Sequence, residues 1–182
     1  MVAIITPYCT LSFPNLFTPK PRAEGGEPVY STALLFDDAA QRSPEYKAMI
    51  DACIDTARSK WGANINMKMV KMPFRDAAEK SDKYAGYEDG MTFINPWTKN
   101  RPQIVDARVQ PVLLPEQVYA GQLVRAQISP FWWENSGKKG VSFGLNHIQI
   151  VKAHAPRIDG RVDATKAFTA VDEEDEDNSI PF

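Results

Sequence analysis

Cysteine and histidine are scarce in this chain of 182 residues, with two of each. Cys9 and Cys53 lie far apart and form no CxxC pattern with each other or with a histidine, which removes the disulfide-framework and thiolate–zinc readings. Both thiols are expected to be buried as small hydrophobes in a reduced, cytoplasmic protein. His147 and His154 stand seven apart with no acid or cysteine at ligand spacing, so neither marks a metal centre. His147 reads instead as a structural histidine beside a strand irregularity. Long apolar runs are missing too. No stretch approaches the ~20 residues of a membrane span, and the opening seven residues are too short, and lack the positive start, for a signal sequence. There is no GxxxxGK[ST] phosphate cradle and no GxSxG elbow. Asp37, Asp38, Asp76 and Asp106 form no acid-x-acid motif with a nearby lysine, which leaves a metal-dependent nuclease as a distant reading. No enzyme, cofactor or metal is expected, and no membrane partner.

What is present is concentrated at the end. Asp172, Glu173, Glu174, Asp175, Glu176 and Asp177 are six consecutive acids, followed by Asn178-Ser179 and then Ile180, Pro181 and Phe182. A run of like charges cannot collapse onto itself, so this segment is expected to be a disordered, solvated tail. The apolar tip, stiffened by Pro181 and ending in Phe182, suits a small hydrophobic pocket ringed by basic residues on a partner. It resembles the C-terminal tip of bacterial single-stranded DNA-binding proteins, and that likeness implies recruitment of replication or repair proteins. Without the tail the charge changes sign: residues 1–171 keep all 21 Lys+Arg against 17 of the 23 acids, a net of +4. A mildly basic body tethered to its own polyanion fits a nucleic-acid binder whose tail competes for the same surface.

The body, taken as residues 1–160, has the length of one domain with a sizeable core, and 161–182 reads as linker plus tail. Strand signals dominate it. The stretch 2–17, broken by Pro7 and Pro14, is expected to give one or two short edge strands. Residues 19–28 form a loop, and 29–36 a second strand ended by Asp37-Asp38. One helix is clear at about 43–61: Ser43 caps it, Pro44 opens it and Gly62 closes it. Tyr46, Met49, Ile50, Cys53, Ile54, Ala57 and Trp61 then form one apolar stripe of core packing. Strands are expected over 65–72, over 103–114 with Val105, Ala107 and Val109 on one face, and over 121–133 and 141–151, the last two joined by a hairpin turn. Five or six strands with one inserted helix suggest a mainly β fold, an OB-fold-like small antiparallel barrel. A sandwich with an inserted helix is the other arrangement.

Two clusters suit single-stranded DNA, which needs cations for phosphates and exposed rings for bases. On 121–133, Val124, Ala126, Ile128 and Trp132 share a core face, while Arg125, Gln127, Phe131 and Trp133 share the other. The long stretch 73–101 reads as a functional loop. It supplies Arg75, Lys83, Tyr84, Tyr87, Trp97, Lys99 and Arg101, with Phe93 as its anchor. Lys68 and Lys71 before it, and Lys138 and Lys139 at the hairpin tip, complete the candidates.

Three segments then carry a family resemblance. Residues 114–121 hold a Tyr-x-Gly before a strand, Tyr119-Ala120-Gly121. Residues 131–149 run aromatic, Asn135, then Lys139-Gly140-Val141-Ser142-Phe143-Gly144-Leu145-Asn146, ending at Gln149. The early Phe13-Pro-Asn-Leu-Phe17 matches the start of the pattern. Together they resemble the phage-encoded single-stranded DNA-binding proteins. The resemblance implies an OB-fold core that binds single-stranded DNA without sequence preference in phage replication, recombination or repair, inside a bacterial host cell. It implies no specific contact residues. A DNA-mimicking protein-interaction module and a single-strand annealing protein are the alternatives, and an unpaired edge strand leaves self-association open.

Overall fold

The structure, a computed structural model, describes residues 2–162 and 164–171. The acidic tail expected at 172–182 lies outside the described residues.

The chain opens with β1 (Ile4–Ile5) and then β2 (Cys9–Pro21), a 13-residue strand that pairs with both β3 (Pro28–Phe36) and a later strand. This corrects the expectation of short edge strands. The prolines do not end β2 because its register slips between Ser12 and Asn15 and again between Asn15 and Lys20, where Pro14 and Pro19 are not asked for a ladder N–H. After β3, Asp37 accepts from the Ala40 N–H at 2.8 Å and caps α1 (Asp38–Gln41). The expected helix follows as α2 (Pro44–Trp61), with the Ser43 hydroxyl accepting from Tyr46 N–H and Gly62 closing it at φ 98°. Tyr46, Met49, Cys53 and Ala57 are buried, and Ile50 and Trp61 pack beside them.

The middle of the chain departs most from expectation. Of 65–72 only β4 (Val70–Lys71) is strand, preceded by a 3-10 turn at Met67–Met69 that Asn66 caps. The stretch 73–101 is no bare loop. It holds β5 (Arg75–Asp76), β6 (Thr92–Ile94) and β7 (Trp97–Thr98), and β6 lies between β5 and β3. Ala77, Tyr87 and Phe93 join Leu35 of β3 in a second small core. Strands of two or three residues are too short to display a two-residue alternation, so composition alone made this stretch look unstructured. The expected strand at 103–114 shortens to β8 (Gln103–Val105). Beyond it Asp106 accepts from the backbone N–H groups of Arg108 and Gln110, both at 2.9 Å, and turns the chain. Val109 therefore sits at φ 64° and 66% exposed, not on a strand face.

The closing hairpin is β9 (Leu123–Asn135) and β10 (Lys138–Lys152), followed by a single turn of helix, α3 (Ala164–Ala167), inside the expected linker. The register of this hairpin shifts between Leu145 and His147, which places His147 at a strand irregularity as read from sequence. Pairings β2–β3, β3–β7, β7–β10, β10–β9 and β9–β2 close a ring of five strands. Closure decides for the barrel over the sandwich, because a sandwich leaves two sheets with open edges. The barrel is mainly β and OB-fold-like, but not wholly antiparallel: β10 runs parallel to β4, β7 and β8. Its interior is filled by Leu11, Leu34, Phe36, Ile94, Val124, Ile128, Phe143 and Ile148, and α2 packs over β1, β9 and β10.

Both cysteines are in this core, at 3% and 0% exposure, and burial pushes each thiol up to about 12. The Tyr119-x-Gly121 segment is a clamp for the chain beyond β10. The Tyr119 hydroxyl lies 2.8 and 2.7 Å from the carbonyls of Ala153 and Ala155, and buried Gln122 donates to Ala153 O at 3.0 Å. A Cβ on Gly121 would stand 2.1 Å from Pro156 O, so the close approach requires glycine. Among the described residues no helix is long and apolar enough to cross a membrane.

Candidate nucleic-acid interface

Alternation along β9 sorts its side chains. Val124, Ala126, Ile128 and Pro130 point inward; Arg125, Gln127, Ser129, Phe131 and Trp133 point outward. Trp132 belongs to the inward set by parity, yet it lies beyond the end of the core and is 46% exposed. It meets Trp61 of α2 at 6.4 Å between centroids and carries the Lys60 ammonium 4.0 Å above its ring. The core face expected for it is thus corrected by where the barrel stops.

On the outer face, three aromatics converge from three strand positions. Trp97 of β7 meets Phe131 of β9 edge to face, 5.7 Å between centroids and 85° between planes. Trp133 covers its cross-strand partner Gly140 so closely that a Cβ there would fall 2.3 Å from the indole. The rings line a groove of about 410 Å³ together with Arg22, Lys71, Arg75 and the backbone of β10. Gly144 and Ser129 lie in the same cross-strand row as Trp97 and carry little or no side chain. No carboxylate lines the groove among the described residues.

Its electrostatics are set by these cations. The Arg22 guanidinium lies 5.1 Å from the Trp97 ring centre, and burial pushes it down from its ordinary value, though a guanidinium stays charged. Arg75 donates to Glu79 at 2.7 Å, which leaves part of its fork for another anion. The Trp97 indole N–H is buried with no acceptor among the described residues. A buried donor without a partner costs about 1–3 kcal/mol.

The loop between β2 and β3, which carries Arg22, and the hairpin tip between β9 and β10 flank this surface. In OB folds that pair of loops and the facing strands form the oligonucleotide-binding side. The model of the family of the Enterobacter phage Enc34 ssDNA-binding protein matches residues 2–179. The chain belongs to that family. Solved structures agree on the fold. The single-stranded DNA-binding protein from bacteriophage Enc34 in complex with ssDNA superposes with a TM-score of 0.69 at 24% identity, covering 85% of this chain and 88% of that one. A second structure of the single-stranded DNA-binding protein from bacteriophage Enc34 gives 0.66 at 24% identity, over 91% and 89%. The single-stranded DNA-binding protein gp2.5 of bacteriophage T7 gives 0.55 at 16% identity, over 90% and 98%. No curated protein sequence matches the chain.

Within this family member, the structure brings together Lys71, Arg75, Trp97, Phe131 and Trp133 of the residues expected from sequence. Lys83 and Tyr84 line a neighbouring hollow. Lys68 is exposed on the 3-10 turn just before β4. Lys99 pairs with Glu27 at 2.9 Å, and Arg101 lies over Phe17 at 5.1 Å, neither lining the groove. Arg125 does face outward, but it is held by Gln149 at 2.7 Å, six residues or about 20 Å along β9 from Phe131. Lys138 is exposed at the hairpin tip, and Lys139 lies 5.6 Å from the Trp61 ring. Tyr87 is corrected outright. At 2% exposure it is core, its ring 5.4 Å from Phe93 and its hydroxyl donating to Ser12 Oγ at 3.1 Å. Phe93 is the buried anchor expected of it. Asp172, Ile180, Phe182 and the rest of the tail lie outside the described residues. Sequence reasoning missed Arg22. Its signal was available in hindsight, as a cation in the loop joining the first two strands of a barrel of this type.

Proposed function

We propose that this chain binds single-stranded DNA without sequence preference, in the groove of Trp97, Phe131 and Trp133, and acts in phage DNA replication, recombination or repair within the bacterial cytoplasm. The single observation that carries the reading is three partly buried rings converging in an acid-free groove with Arg22, Lys71 and Arg75 around them. Membership of a family described by an ssDNA-binding protein supports it. Each base offers a π-face to a ring irrespective of its identity, at about 1–3 kcal/mol per stacked base, so the same groove accepts any sequence. The three cations neutralise phosphates. Duplex DNA keeps its bases stacked inward and offers such rings nothing.

The tail completes the proposal. Residues 1–160 are the DNA-binding domain, and 161–182 a linker and partner-binding arm. The arm's six acids compete with DNA for the basic body, and Ile180, Pro181 and Phe182 dock on replication or repair proteins of the host. A pulldown with immobilised residues 172–182 should retain such proteins, and a Phe182→Ala peptide should lose them; equal capture by both removes the docking role.

The deciding experiment is a titration of the full chain, following intrinsic Trp emission, with oligo-dT and with a duplex of equal length. Quenching by the single strand, weakening with salt at a log–log slope of about −0.7 per phosphate neutralised, is the expected result. No preference for the single strand refutes the reading and leaves a protein-interaction module as the better description.

A further inference from the structure

We propose that Phe13 and Tyr84 form a second base-stacking subsite, continuing the path of the DNA from the Trp97 groove across β3 and β2. This rests on the single-stranded DNA reading above. Cross-strand register supplies the connection: Asn15 of β2, Ser31 of β3 and Trp97 of β7 lie in one row. Two strand spacings, about 10 Å, separate the row's ends, and the small residue Ser31 is the middle of the row. Asn15 lines a second hollow of about 760 Å³, with Phe13, Tyr84, Lys20 and Lys83.

The two rings of this hollow are presented to solvent in a way the fold does not otherwise need. Phe13 is 45% and Tyr84 43% exposed, and they meet edge to face at 4.9 Å. Phe13 reaches that position only through a left-handed backbone, φ 45°, at the first register slip of β2. A bulky residue in this region is strained, and bulges that re-aim one side chain concentrate at functional surfaces. The neighbours hold the strain in place. The Ser12 carbonyl accepts from the Thr32 hydroxyl at 2.9 Å, and the Ser12 hydroxyl accepts from Tyr87. Buried Tyr87 thus serves the surface from below as a positioning residue.

Charge favours a polyanion. Lys20 and Lys83 flank the rings, and Lys80 stands 5.6 Å from the Phe13 ring centre and 5.9 Å from that of Tyr84. The acid of the hollow, Asp159, is already matched by Arg157 at 2.9 Å, whose hydrogen bond holds its carboxyl below the usual range. Bases stack on Phe13 and Tyr84 while Lys20 and Lys83 take the flanking phosphates.

The test is the ratio of affinities for a long and a short oligo-dT, about twelve and about four nucleotides, spanning the usual range for one OB fold. Full-length Phe13→Gly and Tyr84→Ala chains are compared with wild type. Glycine takes the positive φ without strain, which offsets part of the packing lost against Tyr84, so Phe13→Gly should still unfold in one cooperative transition while losing the ring. Each substitution should lower the long-to-short ratio by about tenfold to a hundredfold. Lys83→Ala should reduce the salt slope on the long strand by about 0.7. A ratio unchanged in both ring variants, with Trp97→Ala still weakening the short oligonucleotide, overturns the second subsite and leaves the DNA-binding reading intact. Absence of wild-type binding to either length overturns both.

Discussion

Gly140→Ala puts one methyl group where the structure has no room for it. The added carbon would lie 2.3, 2.4 and 2.7 Å from Cζ2, Cε2 and Nε1 of Trp133, all well inside contact distance. The obstacle is a side chain with two rotatable bonds and not backbone, so the indole swings away and the strand stays. In an ordinary strand position alanine stabilises over glycine by roughly 0.5–1 kcal/mol, whereas overpacking costs about 1–3 kcal/mol. The net expected change in stability is therefore a loss of about 0–2.5 kcal/mol. The effect on binding should be larger in relative terms, because a displaced Trp133 forfeits one stacked base, about 1–3 kcal/mol or roughly 5- to 150-fold in Kd. Urea unfolding and fluorescence anisotropy with labelled oligo-dT measure the two quantities. The double variant with Trp133→Ala isolates the cause: once the indole is gone, Gly140→Ala should change affinity no further. Wild-type affinity in Gly140→Ala, or a full loss that persists without Trp133, would refute the reasoning.

Other outcomes follow from the same geometry. Tyr87→Phe removes the donor to buried Ser12 and should cost about 1 kcal/mol of stability by denaturant unfolding; a Tyr87→Phe chain with unchanged stability and abolished DNA binding would return Tyr87 to the DNA-contacting surface. The thiols of Cys9 and Cys53 rise from an ordinary value of 9.0 to about 12 on folding. Ionisation therefore favours the unfolded chain between those values, and stability should be complete below pH 9 and fall from there toward 12. Neither thiol should react with a thiol reagent at pH 8 until denaturant is added, which a colorimetric thiol assay checks. Deleting residues 172–182 should raise affinity for oligo-dT at low salt, and unchanged affinity there removes the tail's competition for the groove.

Local rules read well where a signal repeats. Helix α2 was legible from Ser43, Pro44, Gly62 and a seven-residue stripe, because cap and period agree over 18 residues. The two faces of β9 were legible from its two-residue alternation as far as Phe131, and Trp132, beyond the end of the core, departed from them. Strands β4 and β8 were expected but drawn too long, and β5 to β7 were not legible, since two or three residues carry no period and their pairing partners are distant in sequence. Tyr87 shows the cost for the site. Nothing local separates it from Tyr84 three residues earlier, yet one is core and the other surface.

The sequence by itself determined the chemistry on offer: rings and cations on a basic body, and an acidic arm. Which rings share a groove was decided only by closure of the barrel. Trp97 and Phe131 are 34 positions apart and meet because β7 and β9 both pair with β10. Arg22 joins them because its loop ends on the same face. Strand pairing is a long-range choice, made by burying Leu34, Ile94, Ile128 and Phe143 together, and no local window of sequence contains it.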